Sequence, residues 1–178
     1  QRLSWGSRNR DRARHHQPTV TDWERLITPF DVIVWSAGAG GGDPKRTYAV
    51  DRDAAMTMID ALELFDAIAP RLVMVSFAGA RTAGTEDDRS SWHAYVESKK
   101  AVDQRRYASE LPVTILGPTR LTDEPSKGIS LLDAPHNPES TTSRELVAEV
   151  IGEAVNREDL LQPNPFEFED GDADIPKI

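Results

Sequence analysis

The sequence predicts an α/β protein: a doubly wound, mostly parallel sheet with helices on both faces, folded as a single domain. Two observations carry that expectation. Short β-branched runs alternate with longer amphipathic segments along the chain, as βαβ units require. Two of those runs are followed by long polar segments, 78–91 and 118–142, rich in Gly, Pro, Ser and Asp. In a doubly wound sheet such segments leave the carboxyl ends of strands, where ligands bind. At 178 residues the chain is long enough for one domain with a real core and short for two.

The elements follow in chain order. The opening QRLSWGSRNRDRARHH is basic but lacks the apolar centre of a secretory signal, and it does not read as the natural start of a protein. TDWERLI (21–27) is predicted to begin a helix with a Thr-x-x-Glu capping box, Thr21 with Glu24. DVIVWS (31–36), RLVMVSF (71–77) and PVTIL (112–116) are predicted strands, too short for helices. Their continuous apolar character points to burial on both faces. Between the first two, TYAVDRDAAMTMIDALELFDAI (47–68) carries apolar residues at 50, 54, 58, 59, 62 and 65, one stripe at the helical period. WHAYVESKKAVDQRRYASE (92–110) follows a Ser-Ser pair that can cap a helix, and SRELVAEVIGEAVNRE (143–158) is a further amphipathic helix. PFEFED (165–170) alternates and is expected to be an edge strand.

Composition narrows the function classes. Lys plus Arg number 21 and Asp plus Glu 30, a net charge of −9, which disfavours nucleic acid or an anionic membrane as the main partner. A soluble, cytoplasmic protein is the expectation. There is no cysteine, so disulfides, thiolate chemistry and Cys-type zinc sites are excluded. No apolar run approaches the roughly 20 residues that span a bilayer. Asp170, Asp172 and Asp174 imitate the start of a calcium loop, but the glycine and glutamate that complete one are missing. His15 and His16 are adjacent and lack further ligands nearby, so no metal is expected. No nucleophile elbow with a Ser-His-Asp set is present.

Two stretches point to chemistry. SAGAGGG (36–42) directly follows a predicted strand, and a glycine-rich turn there lets backbone approach a ligand, with N–H groups toward phosphate or ribose. It is equally the composition of a plain flexible loop. Tyr95 and Lys99 stand four residues apart on one helix face. A nearby ammonium favours the phenolate and is expected to lower the tyrosine pKa, making it a proton donor or acceptor for a carbonyl. The same spacing occurs by chance in many helices; what singles the pair out is its place after the RLVMVSF strand and its long loop. His93 lies off the Tyr95 face and is expected to be exposed or at the mouth of the site.

In order, DVIVWSAGAGG, RLVMVSFAGA, the Tyr95-x-x-x-Lys99 helix and TILGPTRLTDEPSKG resemble the atypical short-chain dehydrogenase/reductases, in particular the NAD(P)H-binding, NmrA-like Rossmann proteins. The closing FEFEDGDADIPKI is similar to the tail of small members, and the likeness covers about residues 19 to 178. The resemblance implies a Rossmann-like domain and a dinucleotide, NADP or NAD, as cofactor. Ala37, Gly38 and Ala39 match a turn that runs beside the cofactor, and Thr19 and Val20 fall where members border the adenine. Ser76 ends the strand that faces the nicotinamide, while Pro118 and Thr119 fall in a turn that covers it. Arg8 and Arg10 match a stretch whose arginine reads the 2′-phosphate of NADP, or else form a solvated basic tail.

The departures are specific. The first strand and the G-x-G-x-x-G turn that should hold the pyrophosphate have no counterpart, so the chain is expected to be a piece of a longer protein, the alternative being one that has lost its nucleotide grip. Phe77 and Ala78 follow Ser76 where extended dehydrogenases keep a catalytic Ser or Thr, and Gly117 replaces an arginine frequent before the proline. Two functions follow from the resemblance. One is an NAD(P)H-dependent oxidoreductase reducing a small carbonyl, quinone or flavin-like acceptor, with catalytic Tyr95, Lys99 and Ser76: Tyr95 the proton donor, Lys99 binding ribose and lowering its pKa. The alternative is a non-catalytic NADP(H)-binding regulator or redox sensor. Oligomeric state is left open.

Overall fold

The structure is a computed structural model and describes residues 17–132, 137 and 139–175. Four strands, β1 (Val32–Trp35), β2 (Arg71–Val75), β3 (Val113–Pro118) and β7 (Phe166–Asp170), run parallel side by side in that order. β5 (Ile129–Leu131) closes the far edge antiparallel to β7. Beside this sheet, β4 (Arg120–Thr122) and β6 (Thr141–Ser143) form a parallel pair inside what the sequence presented as one long loop.

The strand β7 is not the edge strand its alternation suggested. It is flanked by β3 and β5, and Phe166 and Phe168 are fully buried, so the alternation records which face carries the core and not which side lacks a neighbour. The opposite correction applies to β1. It stands at an edge of the described sheet and leaves Val34 41% exposed, despite a wholly apolar sequence.

Helices cover both faces. On one side lie α1 (Val20–Ile27), α3 (Ala55–Glu63) and α4 (Ser91–Tyr107), burying Ile27, Met58, Leu62 and Val102 against Leu72, Met74 and Ile115. On the other, α5 (Arg144–Asn156) sets Leu146 and Val150 against Val73, Leu116, Phe166 and Phe168. Alternate residues of β2 thus serve two separate cores, the arrangement of a doubly wound sheet. Arg71 anchors α5 to the sheet from below, donating to the carbonyls of Ala154 and Val155 at 3.3 and 3.0 Å. These are end-of-helix carbonyls that lack intrahelical donors.

Capping explains where the helices start. α1 begins two residues earlier than the Thr21–Glu24 box implied. Thr19 is the cap, accepting from the Asp22 amide, while the Asp22 carboxylate accepts from the Thr19 N–H at 2.9 Å. Ser90 caps α4 and Ser143 caps α5. The segment expected as one helix from 47 is compound: α2 (Pro44–Thr47) leads into a π-helical stretch, Tyr48–Ala54, and then α3. Among the described residues no helix is long and apolar enough to cross a membrane, and no group of acidic or histidine side chains is arranged to hold a metal.

Candidate functional site

The carboxyl ends of β1, β2 and β3 converge on α4, and most side chains of the site come from these, with Asp51 added from the π-helical stretch and Glu167 from β7. After β1 the chain makes the glycine turn. Gly40, Gly41 and Gly42 have φ of 74°, 80° and 87°, left-handed backbone that side chains disfavour, and a Cβ on any of them would meet nothing within 4 Å. The glycines are therefore demanded by conformation and leave open space above the turn. Ala37 and Gly38 are exposed along it, while Ala39 is buried.

The Ala39 N–H does not face a ligand. It donates to Asp51 Oδ2 at 2.9 Å, from a carboxylate only 2% exposed on the π-helical stretch. The other oxygen, Asp51 Oδ1, lies 3.8 Å from Lys99 Nζ and makes no hydrogen bond. Lys99 is itself buried and donates to the Val75 carbonyl, at the end of β2, at 3.0 Å. Ser76, the next residue, donates its hydroxyl to Asp103 Oδ2 at 2.8 Å. Tyr95, Lys99 and Asp103 follow one another at four-residue steps along α4 and present one face to the strand ends.

The Tyr95 ring has two aromatic neighbours. Phe77 stacks on it at 5.6 Å between centroids and Trp92 at 5.7 Å, both near-parallel. Its hydroxyl is not activated in the way the four-residue spacing promised. Burial first, and then the carboxylates of Asp51 and Asp103, push Tyr95 up to about 12. Lys99 Nζ sits 5.8 Å from the ring centroid, bound to Val75. Burial lowers the Lys99 pKa, against the pull of Asp51 and Asp103. Burial likewise raises Asp103 to about 6, outweighing the Ser76 hydrogen bond and the Lys99 charge. Desolvation thus outweighs the favourable charges around Asp103, and the result is a raised acid.

Two cavities meet at Tyr95. One, of about 330 Å³, lies over the glycine turn between Gly38, Gly41, Thr47, Asp51 and Tyr95. The other, of about 440 Å³, is bounded by Phe77, Trp92, Tyr95, Pro118, Thr119 and Arg120. Pro118 and Thr119 thus reach the second cavity. The Thr119 hydroxyl is tied to Thr142 at 2.9 Å, and Thr142 is held by the Phe168 carbonyl. Gly117 has a steric reason in place of the expected arginine, since a Cβ there would stand 2.9 Å from Glu167 Cγ. Glu167 in turn accepts from the Gly79 N–H at 2.8 Å, fastening the loop after β2 to β7.

Some expected residues stand apart. Thr19 serves as the helix cap and Val20 packs into the core. Neither lines the two cavities at Tyr95, although their neighbours Gln17 and Pro18 line a separate cavity of about 510 Å³ with Lys45 and Arg46. Arg8, Arg10, His15 and His16 lie outside the described residues. His93 is not exposed: its side chain is 16% accessible, with Nδ1 3.2 Å from Thr85 Oγ1 and Nε2 3.6 Å from Asp87. Asp51, Asp103 and Glu167 went unnoticed in the sequence. For Asp103 the signal was the continued four-residue step from Tyr95 and Lys99. For Asp51 it was a charged residue set between Thr47 and Ala54 on a buried stripe.

Comparison with known proteins decides the family, because the sequence pattern of one described as NAD(P)H-binding matches residues 11–158. The chain belongs to that family. A relative in Saccharomyces cerevisiae, UPF0659 protein YMR090W, is 31% identical over 160 residues, covering 82% of this chain and 63% of its own. The chain therefore spans less than two thirds of that curated relative. Among solved structures, one described as a putative NAD-dependent epimerase/dehydratase from Bacillus halodurans is 25% identical, with a TM-score of 0.72 over 86% of this chain and 71% of that one. A short-chain dehydrogenase/reductase from Veillonella parvula in complex with NADP shares the fold at a TM-score of 0.56 and 18% identity, over 84% and 66% of the two chains.

The residues present fit part of the dinucleotide that this NAD(P)H-binding family takes. There is open space over a turn without side chains, and a buried ammonium stands beside it. A Gly-rich pyrophosphate turn has no counterpart in the sequence.

Proposed function

We propose that the chain carries the proton-transfer half of an NAD(P)H-dependent oxidoreductase acting on a small carbonyl, quinone or flavin-like acceptor. The carrying observation is that Tyr95 forms a wall of both cavities, so that one ring faces whatever occupies each. NADPH, or NADH, would supply the hydride. Tyr95, with its pKa near 12, is a phenol at neutral pH and holds the proton a reduced oxygen must receive. Lys99 has donor capacity beyond its bond to Val75 and would hold ribose hydroxyls over the glycine turn. Ala37 and Gly38 would border the cofactor, Pro118 and Thr119 would cover its reactive end, and Phe77 with Trp92 would form the apolar floor under a planar acceptor. Ser76 acts here through Asp103 and holds that carboxylate in place. A lean toward NADP rests on Arg8 and Arg10, and we propose a single-domain organisation for this stretch.

The commitment of Ser76 to Asp103 and the distance of Lys99 from the Tyr95 ring favour a second reading, a non-catalytic NADP(H)-binding regulator or redox sensor. Tyr95→Phe separates the two. NADPH oxidation is followed with a quinone acceptor, and NADPH binding by tryptophan fluorescence. The enzyme reading expects turnover to fall by about a hundredfold or more with binding retained. A protein that binds NADPH and shows no turnover with any acceptor class, or turnover unchanged in Tyr95→Phe, refutes the catalytic role.

A further inference from the structure

We propose that Asp51 is the positioning residue of this site, one carboxylate that sets the glycine turn and the Lys99 ammonium at a fixed separation. The proposal rests on the reading of Tyr95 and Lys99 given above.

A carboxylate that is 2% exposed is kept in a fold only where its charge is answered. Asp51 has two answers, and they come from different parts of the chain. Oδ2 takes the Ala39 N–H of the turn after β1, and Oδ1 faces Lys99 Nζ on α4. Lys99 then continues to the Val75 carbonyl of β2. Asp51 and Lys99 thus join the turn, the π-helical stretch, α4 and β2 through polar contacts. The fit is close: a Cβ at Gly38 would stand 3.2 Å from Asp51 Oδ1, so the turn rests against the carboxylate. Two further details mark the arrangement as built for something other than packing. Asp51 lies in π-helical backbone, which is frequent at functional sites. And Oδ1 is left without a hydrogen bond, held by charge alone.

Charge is what separates this role from a structural one. Asp51 faces Lys99 and Tyr95, and Lys99 also faces Asp103, which in turn feels Glu167 and Arg81. The Asp51 charge keeps a proton on both Lys99 and Tyr95. Asparagine at 51 keeps an acceptor for the Ala39 N–H and loses the charge, so both groups would release their protons at lower pH. Alanine loses both functions.

The test follows NADPH binding by quenching of tryptophan fluorescence, Trp92 being 61% exposed at the rim of both cavities. Wild type, Asp51→Asn and Asp51→Ala are titrated between about pH 6 and about pH 10, with turnover profiles in parallel. Wild-type binding should fall on the alkaline side as Lys99 loses its proton. In Asp51→Asn that fall should begin at lower pH, leaving affinity near wild type at the acid end and about tenfold weaker at the alkaline end, the worth of one charge-assisted hydrogen bond. Asp51→Ala should be weaker throughout. If Asp51→Asn does not fold by circular dichroism, Gly38→Ala carries the test, because its methyl presses on Oδ1 and should produce the same alkaline loss. A superimposable pH profile in the variant, or a wild-type curve with no alkaline fall, overturns the proposal. That outcome with turnover still abolished by Tyr95→Phe leaves the enzyme reading intact. Failure of wild type to quench saturably with NADPH refutes the underlying reading as well.

Discussion

Replacing Asp103 with asparagine removes a charge and leaves the shape, including an acceptor for the Ser76 hydroxyl. Asp103 is 3% exposed and its carboxyl is raised from the ordinary 3.8 to about 6, burial being the largest cause. The folded state therefore holds the proton more tightly than the unfolded chain does. The stabilising effect of that protonated form is complete below the unfolded value and is lost as pH rises through about 6. A rise of about two units corresponds to about 3 kcal/mol, an order-of-magnitude figure for a buried group. Asparagine mimics the protonated acid at every pH. Asp103→Asn should thus match wild type near pH 4 and exceed it by as much as about 3 kcal/mol near pH 8. Urea denaturation of the two proteins across this range is the assay, with the difference between them cancelling other titrations. A difference that is flat with pH would refute the reasoning. So would one of opposite sign, which would mean that Lys99 and Ser76 overcome burial and depress the acid.

Two stability predictions follow from packing. Gly117→Ala forces Glu167 aside and loosens its bond to the Gly79 N–H; a loss of about 1–3 kcal/mol in urea unfolding is expected. Phe166→Ala empties a fully buried position between β3 and α5 and should cost about 3–5 kcal/mol, read the same way, with activity lost only through unfolding.

The fold was legible because its strands are written as unbroken apolar runs and its helices as stripes between them. The buried parallel strands followed from DVIVW, RLVMV and PVTIL alone. What periodicity could not show was neighbours. The alternation of Phe166 and Phe168 names a buried face and is silent about β5, which arrives from a polar loop through three residues, Ile129–Leu131. The candidate site was half legible. Tyr95 and Lys99 were found by spacing, but the net shift at Tyr95 is upward, set by burial and by Asp51 and Asp103, opposite in sign to the one expected from Lys99 alone. That sign depends on Asp51, 48 residues upstream of Lys99, and on how dry the space is, neither of which is a local property of α4. The cap of α1 was misplaced for a smaller reason: Thr19 and Thr21 offer equivalent hydroxyls, and only the short side chain of Asp22 at the third position chose between them.

The place of Tyr95 between two cavities has a thermodynamic consequence. Because the ring forms a wall of both, a tilt that favours an occupant on one side would be felt on the other. Two occupants so placed are linked, and the linkage is reciprocal: the factor by which the first tightens or loosens the second is the factor by which the second alters the first. Affinities measured for either one alone then describe a half-filled protein, and the same coupling factor is read whichever occupant is added first.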